Sequence, residues 1–243
     1  MNIAIVLAGG LGNRMNNSVP KQFLKVYGKP VLIYTLESFQ QHPQIDAIEV
    51  VCLEGWQTEV LNYIKQYELS KVRWVVAGGM TVQESIRNGV FFLENKAEDE
   101  DIIVIHDGVR PLVDSSVLAD AISVCRQYGN AVSALPFNEQ IFVADCEDTG
   151  ATNKYIPREM LRRVSTPQAY SFGILDEKYH EAFEKSKGIH GASYTNTMMA
   201  ELGVKLHFSA GSDKNIKLTT KEDLEIFKSI LYYSKSDRTN EQN

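Results

Sequence analysis

The sequence predicts an α/β fold, a mostly parallel sheet that carries helices on both faces, with a protruding β-hairpin arm. Short apolar runs rich in β-branched residues alternate with amphipathic stretches whose apolar residues recur at helical spacing. The first run, residues 3–8, is apolar almost without interruption, as expected for a strand buried on both faces of a parallel sheet. This alternating order is typical of a sheet whose strands are connected by helices.

Five predicted strands and four predicted helices alternate through the first part of the chain. The strands are residues 3–8, 48–53, 72–76, 102–106 and 131–135. The helices are residues 30–41, 56–67, 81–94 and 114–128, and the first of them tolerates Pro30 in its opening turn. Crossovers between parallel strands are expected to be right-handed, and ligands bind beyond the carboxyl ends of such strands. We therefore expect the functional residues directly after the strands.

The alternation breaks over residues 136–161, where a β-hairpin is predicted. Residues 140–145 and 152–156 have strand character, and residues 148–150 suit the turn between them. A lone hairpin is unstable in water, so the apolar side chains of these strands need a cover. The cover is either the hairpin's own domain or a second subunit, and the sequence leaves both open.

The remaining chain returns to the alternating pattern. Its predicted elements are helices at residues 172–187 and 195–202, a strand at 204–208 and a last helix that begins at Thr219. Thr219 and Glu222 have the spacing of a capping box. Residues 234–243 are polar and are expected to fray. No linker divides the chain, so residues 1–233, including the hairpin, are expected to form one domain.

Composition and charge exclude several classes of protein. The chain has 25 Lys and Arg against 31 Asp and Glu, a formal net charge of −6, whereas nucleic-acid binders usually carry a basic excess. Cys52, Cys125 and Cys146 form neither a disulfide framework nor a zinc motif and favour a reducing compartment. No apolar run approaches the roughly 18 residues of a membrane span, and the N-terminus lacks the basic region of a signal peptide. We therefore expect a cytoplasmic protein with neither nucleic acid nor membrane as partner.

A glycine-rich loop, LAGGLGNRM at residues 7–15, follows the first predicted strand. Its glycines allow backbone N–H groups to approach a ligand closely, which suits phosphate. The loop is not a Walker motif, and it fails as a dinucleotide fingerprint because Met15 stands where the third glycine belongs. Arg14 and Lys21 flank the loop and could straddle a triphosphate. Loop and cations together favour a triphosphate site over a tight turn with two solvated cations.

Asp107, Arg110 and Lys217 are the next candidate residues. Asp107 follows the fourth strand, where a carboxylate is well placed for Mg²⁺, and Arg110 is near enough in sequence to bind an anion there. The alternative is that Asp107 caps a turn at which Pro111 ends the strand. Lys217 could point into the same cleft, although alone it would be an ordinary surface lysine.

Further polar candidates follow other strands. Gly78 and Gly79, after the third strand, form a second glycine-lined edge with Ser85 of the following helix. Arg158 and Thr166 are candidates for binding a second anion.

Six motifs, taken together, resemble those of the polyol-phosphate cytidylyltransferases. They are LAGGxGxRM, PKQ, GG…S, HDGVRP, TPQ and NIKLT. This family contains 2-C-methyl-D-erythritol 4-phosphate cytidylyltransferase and ribitol-5-phosphate cytidylyltransferase. The resemblance implies a Rossmann-like nucleotidyltransferase fold and a homodimer in which residues 136–161 are the dimerisation arm. It also implies a Mg²⁺-dependent reaction that joins CTP and a polyol phosphate to give a CDP-polyol and pyrophosphate.

The resemblance further implies a role for each candidate residue. The triphosphate would be held by Ala8, Gly9, Gly10, Leu11 and Gly12, and the cytosine would be faced by Gly78, Gly79 and Ser85. As candidate catalytic residues, Arg14 and Lys21 would hold the triphosphate with the loop and Lys217 would contact the reacting phosphate. Mg²⁺ would be bound by Asp107. The polyol phosphate would be bound by Arg110, Thr166 and Arg158, with Arg158 supplied by the other subunit.

The chain departs from the family pattern at four positions. Val82 stands where many members have an arginine, and Gln140 where the arm usually has a threonine. Asn196 and Thr197 replace two acids of the erythritol enzymes. Because several of these changes fall on the polyol side, ribitol 5-phosphate, or a relative used in wall or capsule polymers, is favoured as acceptor.

Three alternatives stay open. A 2-C-methyl-D-erythritol 4-phosphate cytidylyltransferase of isoprenoid biosynthesis with altered acceptor residues would have a similar sequence. A sugar-phosphate nucleotidyltransferase that uses UTP or GTP would share the glycine loop, but the motifs at residues 20–22 and 215–219 favour the cytidylyl group. A catalytically silent nucleotide-binding homologue would explain the departures, but the retained Arg14, Lys21 and Asp107 speak against it.

Overall fold

The chain folds into strands and helices that largely follow the predicted order. The structure is a computed structural model that describes residues 1–10, 19–145, 150–191 and 194–240, with residues 234–240 described by backbone alone. The strands are β1 (Asn2–Ala8), β2 (Lys25–Val26), β3 (Lys29–Pro30), β4 (Ala47–Cys52), β5 (Val72–Ala77), β6 (Ile102–Asp107), β7 (Asn130–Pro136), β8 (Ile141–Val143), β9 (Lys154–Ile156), β10 (Arg162–Ser171) and β11 (Phe208–Ala210). The α-helices are α1 (Val31–Gln41), α2 (Gln57–Gln66), α3 (Val82–Phe92), α4 (Ser115–Tyr128), α5 (Phe172–Glu184), α6 (Thr195–Glu201) and α7 (Lys221–Asn240).

In the described chain, seven strands form one mixed sheet in the order β11-β7-β10-β6-β1-β4-β5. β1 is parallel to β4 and β6, β4 to β5, and β7 to β11. β10 is antiparallel to both of its neighbours, β6 and β7. The predicted α/β fold with a mostly parallel sheet is confirmed. The carboxyl ends of β1 and β6 lie side by side, since Leu7 pairs with Asp107.

Strand β10 was not predicted from the sequence. Its first residues are polar and exposed, and it contains Pro167, which cannot donate to a strand ladder. The ladder with β7 is interrupted between Val164 and Gln168, and the Thr166–Pro167 peptide bond in this interruption is cis. The hydroxyl of Thr166 accepts the backbone N–H of Asp107 at 3.1 Å. This irregular strand therefore carries one candidate site residue to the end of β6.

The strand predicted at residues 204–208 is wrong in position, because β11 covers Phe208–Ala210. The side chain of Asn130 takes up the hydrogen bonds of the preceding backbone. Its amide donates to the carbonyl of Lys205 at 3.0 Å, and its Oδ1 accepts the N–H of His207 at 2.9 Å. The ladder with β7 therefore begins only at Phe208.

The cap of the last helix is also displaced by one residue from the prediction. Thr220 Oγ1 accepts the N–H of Asp223 at 3.2 Å, and Asp223 Oδ2 accepts the N–H of Thr220 at 2.8 Å. This reciprocal pair is a capping box, with Thr220 and Asp223 in the places predicted for Thr219 and Glu222. Helix α7 continues to Asn240, so the backbone of residues 234–240 is helical where fraying is expected from composition.

Most of the core lies in two layers, one on each face of the sheet, and a smaller third cluster surrounds Phe227 of α7. Alternate residues of β1 point to opposite faces: Ala4 and Val6 pack with α1 and α4, whereas Ile3 and Ile5 pack with α3, α5 and α6. Helices therefore cover both faces, as predicted. In the described part of the chain, no helix has the length and apolar character needed to cross a bilayer.

The predicted hairpin is present, with β8 and β9 as an antiparallel pair in which Ile141 lies opposite Ile156. Residues 148–149 of the predicted turn lie outside the described residues. Phe142 and Tyr155 lie on the hairpin with 57% and 66% of their surface exposed. The described part of this chain therefore leaves the aromatic side chains of the hairpin open to solvent.

Candidate active site

A cleft of about 650 Å³ opens at the carboxyl ends of the parallel strands β1, β4, β5 and β6. This is the edge at which ligands bind in open α/β sheets. Nine of the site residues predicted from the sequence line it: Ala8, Gly9, Gly10, Lys21, Gly78, Gly79, Ser85, Asp107 and Lys217. The fold thus brings together residues from both ends of the chain.

A second cavity, of about 580 Å³, is lined mainly by apolar and aromatic side chains such as Phe23, Trp56 and Tyr63. Lys25 and Glu59 are the charged groups that the described residues contribute to it. The cleft holds the glycine edges and the cationic side chains that suit phosphates, so we identify the cleft as the candidate site.

Gln22 binds the start of the glycine loop after β1 through its side chain. This contact was not predicted from the sequence. The side chain of Gln22 is buried and donates to the carbonyls of Ala8 at 2.7 Å and Gly10 at 3.1 Å. Among the described residues, no atom lies within 4 Å of the position that a Cβ at Gly10 would take. The signal that could have pointed to Gln22 is its place in the PKQ motif, beside Lys21.

The second glycine edge is packed against the start of α3. A Cβ at Gly79 would lie 2.3 Å from the Cβ of Glu84, and a Cβ at Gly78 would lie 2.9 Å from Oγ of Ser85, so larger residues do not fit. Ser85 Oγ accepts the N–H of Gly79 at 3.0 Å and donates to the carbonyl of Thr81 at 2.9 Å. The hydroxyl of Ser85 thus fastens the loop to the helix, and it is available to a ligand as an acceptor.

Asp107 is the centre of the charged part of the cleft. Its Oδ1 accepts from Nζ of Lys217 at 2.9 Å, and its Oδ2 accepts from Nε of Arg110 at 2.8 Å. Burial alone would raise the pKa of Asp107, but the charges and hydrogen bonds of Lys217 and Arg110 outweigh it and hold this pKa well below its usual range. The carboxylate is therefore ionised at neutral pH.

Arg110 and Thr166 form hydrogen bonds with Asp107 but do not line the cleft themselves. Arg110 also donates from Nη1 to the carbonyl of Asn215 at 2.7 Å, and the Asn215 amide donates to the carbonyl of Thr166 at 2.6 Å. These bonds connect β6, β10 and the segment before α7. They fix Lys217 beside Asp107, because Lys217 follows Asn215 by two residues.

Besides Arg110 and Thr166, one more described site residue, Arg158, does not line the cleft, and three predicted site residues are not described. Leu11, Gly12 and Arg14 lie outside the described residues. Arg158 lies in a short turn at the base of the hairpin, where it is 60% exposed and forms a surface ion pair with Glu159 at 3.7 Å. Its predicted role toward a partner's acceptor site stays a prediction.

Tyr194 and Thr219 line the cleft but were not predicted from the sequence. The ring of Tyr194 lies 5.4 Å from Nζ of Lys217, a cation–π distance. Tyr194 is the N-cap residue of α6. An aromatic residue before a predicted helix carries no signal of its own, so only the fold reveals this contact.

Glu94, Asp176 and His180 form a group of potential metal ligands away from the cleft, on α5 and just after α3. His180 and Glu94 are exposed, Asp176 is half-buried, and none of the three lines the cleft. Two acids and a histidine at a surface often occur together without a metal, so we assign no function to this group.

Comparison with known proteins agrees with this site. The family model described as 2-C-methyl-D-erythritol 4-phosphate cytidylyltransferase matches residues 2–233. A protein of Lacticaseibacillus paracasei named ribitol-5-phosphate cytidylyltransferase is 56% identical over 231 residues, which are 95% of this chain and 98% of that protein. A protein of Syntrophus aciditrophicus named 2-C-methyl-D-erythritol 4-phosphate cytidylyltransferase is 37% identical over 231 residues, 94% of this chain and 95% of its own.

A solved structure supports the fold. The crystal structure of 4-diphosphocytidyl-2C-methyl-D-erythritol synthase from Anaerococcus prevotii superimposes with a TM-score of 0.80 and 22% sequence identity, and the match covers 95% of each chain. The family match spans the whole sheet and every segment that lines the cleft. The chain therefore belongs to the 2-C-methyl-D-erythritol 4-phosphate cytidylyltransferase family and is a nucleotidyltransferase that transfers a cytidylyl group.

Proposed function

We propose that this enzyme joins CTP and ribitol 5-phosphate to give CDP-ribitol and pyrophosphate. The observation that carries the proposal is the arrangement of Asp107, Lys217 and Lys21 around two glycine edges, a cleft suited to a nucleoside triphosphate. The choice of acceptor is supported by the relative of 56% identity that is named ribitol-5-phosphate cytidylyltransferase.

The residues that replace the acids of the erythritol enzymes also support this acceptor. The hydroxyl of Thr197 closes the first turn of α6, where its Oγ1 accepts the N–H of Tyr194 at 2.8 Å and donates to the carbonyl of Tyr194 at 2.8 Å. Asn196 is buried, and an ionised carboxylate would be costly in its place. Both residues lie in the first turn of α6, two and three residues after Tyr194, whose side chain lines the cleft.

The proposed reaction needs no general base from the protein. The second pKa of a phosphate monoester is about 6, so the attacking phosphate is already largely dianionic at pH 7. The barrier lies in bringing this dianion to the triphosphate and in the charge that develops on pyrophosphate. Lys21 and Lys217 stabilise that charge, and the backbone N–H groups of Gly9 and Gly10 hold the phosphates in line.

Asp107 fits the requirements of a Mg²⁺ ligand. It is an ionised carboxylate at the edge of the cleft, and Mg²⁺ is usually bound by one or two carboxylates together with phosphate oxygens and water. When bound, the ion would neutralise triphosphate charge and polarise the phosphorus under attack. Lys217 and Arg110 hold the carboxylate in a fixed orientation for this role.

We further propose that the hairpin pairs two copies of the chain into a homodimer. Phe142, Tyr155 and Met160 are exposed on or beside it, a set of large apolar side chains that a second copy would cover. Arg158 lies in the same region and would then be available to the partner's acceptor site. The two described cysteines, Cys52 and Cys125, are buried and free, which suits a reducing compartment such as the cytoplasm.

A matrix of substrates tests the reaction. The enzyme is incubated with Mg²⁺, each of four nucleoside triphosphates and each of a panel of polyol phosphates, and pyrophosphate release is measured. We expect release with CTP and ribitol 5-phosphate. If pyrophosphate is released only with 2-C-methyl-D-erythritol 4-phosphate, that compound and not ribitol 5-phosphate is the acceptor. If UTP or GTP is preferred, the proposed nucleotide is wrong. CTP binding without turnover on any acceptor would support a silent homologue.

A further inference from the structure

A chain of buried hydrogen bonds lies behind the cleft and joins three helices. The hydroxyl of Tyr179 on α5 lies 2.9 Å from Oε1 of Gln83 on α3 and 2.8 Å from Oγ1 of Thr195 on α6. Nε2 of Gln83 donates to the carbonyl of Gly188 at 3.2 Å. Tyr179, Gln83 and Thr195 are each at most 2% exposed. None of these residues has a role in the proposed reaction.

The direction of these bonds follows from the groups available. Gln83 donates through its amide to a carbonyl, so its Oε1 faces Tyr179 as an acceptor. Burial raises the pKa of Tyr179 well above its usual value, so its hydroxyl stays protonated and donates a hydrogen bond to Oε1 of Gln83. The remaining bond then runs from the hydroxyl of Thr195 to the oxygen of Tyr179. Each member of the chain is satisfied only while α3, α5 and α6 keep their relative positions.

The two ends of this chain stand directly behind residues that line the cleft. Gln83 is the second residue of α3 and lies between Val82 and Ser85 in the sequence. Val82 and Ser85 both line the cleft. Thr195 is the first residue of α6 and follows Tyr194, whose ring lies against Lys217. Gly188 meets α6 as well, since a Cβ there would lie 2.8 Å from Cα of Met198.

We propose that Tyr179 is a positioning residue of the active site, whose buried hydroxyl fixes the first turns of α3 and α6 relative to each other. Through α3 it holds the edge that carries Ser85, and through α6 it holds Tyr194 against Lys217. It touches neither substrate, and its role rests on the proposed use of this cleft for CTP and the polyol phosphate. Apolar packing alone would leave the angle between the two helix ends adjustable, whereas this bonded chain has a single satisfied arrangement.

The test compares Tyr179→Phe with Tyr170→Phe. Tyr170 is equally buried and loses one hydrogen bond, to Gln168 at 3.0 Å within β10, so this variant controls for the loss of a buried phenol hydroxyl. Hydrogen–deuterium exchange is measured on peptides that cover residues 81–85 and 194–199, without substrate. We expect Tyr179→Phe to accelerate exchange in both peptides and to weaken CTP binding about tenfold in calorimetry. Tyr170→Phe should leave both peptides and the CTP affinity unchanged.

A second variant, Thr195→Val, cuts the bond to α6 and leaves Tyr179 bonded to Gln83. It should accelerate exchange at residues 194–199 alone, and it provides the test should Tyr179→Phe fail to fold. Equal exchange in wild type and Tyr179→Phe, or equal effects of Tyr179→Phe and Tyr170→Phe, would overturn the proposal. So would an effect of Thr195→Val on residues 81–85. The exchange measurement needs no turnover, so absence of activity in the wild type would refute the proposed function and not this inference.

Discussion

Asp107 balances the charge of the cleft, because it is the shared partner of Arg110 and Lys217. Replacement by asparagine keeps the size of the side chain and removes the charge that orients both cations and would bind Mg²⁺. We expect Asp107→Asn to lower kcat about 100- to 1,000-fold, comparable to the loss of one donor that stabilises a transition state. Pyrophosphate release measures the effect, with circular dichroism to show that the fold is kept.

Asp213→Asn is the matched control for this prediction. Asp213 pairs with Arg163 at the surface, where the two side chains are 80% and 54% exposed. Removal of this pair should leave kcat within about twofold of wild type, since exposed pairs contribute little. A loss of less than about tenfold in Asp107→Asn would contradict its assigned role.

Glu49 is a carboxyl group in the core. It lies in the middle of β4 without exposed surface, and neither of its oxygens has a hydrogen-bond partner among the described residues. Gly89 on α3 leaves the room for it, because a Cβ there would lie 2.9 Å from Oε1 of Glu49. Burial raises the pKa of Glu49 to about 9, so the folded protein keeps this group protonated at neutral pH.

His106 makes stability depend on pH in the opposite direction to Glu49, because burial lowers the pKa of His106 to about 4. Between about pH 4 and 6.5 the unfolded chain binds a proton at His106 that the folded protein does not bind, so stability rises with pH there. Between pH 4.5 and about 9 the folded protein holds a proton on Glu49 that the unfolded chain has lost, so stability falls with pH. The two slopes oppose each other up to pH 6.5, and above it Glu49 acts without His106.

We therefore expect the free energy of unfolding to decline above neutral pH. Glu49 should contribute a slope of up to about 1.4 kcal/mol per pH unit. Glu49→Met should flatten the curve, and the exposed control Glu201→Met should keep the wild-type slope. Urea unfolding at several pH values between about 7 and 8.5 measures this. Identical slopes in wild type and Glu49→Met would refute the assignment.

At the scale of elements, the hairpin of β8 and β9 is poorly covered, since most of its described residues are exposed. Its exposed aromatic side chains are suited to the centre of an interface, where large aromatic residues contribute most. We expect Phe142→Ser combined with Tyr155→Ser to weaken dimerisation at least about tenfold, as measured by analytical ultracentrifugation. Turnover should fall with the dimer if Arg158 acts on the partner's acceptor.

Tyr232→Ser tests whether any exposed aromatic has this effect. Tyr232 lies on α7 with 63% of its surface exposed, comparable to the hairpin residues. Its replacement should leave the oligomeric state unchanged. A wild-type protein that is monomeric at micromolar concentration would remove the basis for the prediction.

The elements show where sequence patterns are sufficient. Parallel strands such as β1 and β6 are continuous apolar runs, and α3 has apolar residues at helical spacing, so both kinds of element were predicted within one or two residues. β10 was missed because it combines polar residues with a proline, and its pairing is decided by the neighbouring strands. β11 was misplaced because Asn130, far away in sequence, determines where its ladder begins.

At the scale of the whole molecule, the site was also predictable only where its residues lie in local sequence motifs. Gly9, Lys21, Asp107 and Lys217 were predicted because each lies in a short motif, and the fold places all four on one cleft. Tyr194 and the network around Tyr179 depend on contacts between distant segments, for which a single sequence has no local signal. The net charge of −6 is likewise an average that does not exclude anionic ligands, since cations from distant segments meet at this cleft.

A cleft assembled from residues 7 to 219 makes ligand binding depend on the whole fold. A ligand that binds only the folded chain stabilises it by about 2.7 kcal/mol at a concentration of about 100 Kd. For a chain of this size that corresponds to a rise in Tm of about 5–10 °C. We expect CTP with Mg²⁺ to produce this shift in differential scanning calorimetry as one cooperative transition, and Lys21→Ala to reduce it at the same CTP concentration. Lys65→Ala, on α2 away from the cleft, should retain the full shift. Stabilisation of one part of the chain, with a second transition left at the original temperature, would show that the cleft is not built by a single domain.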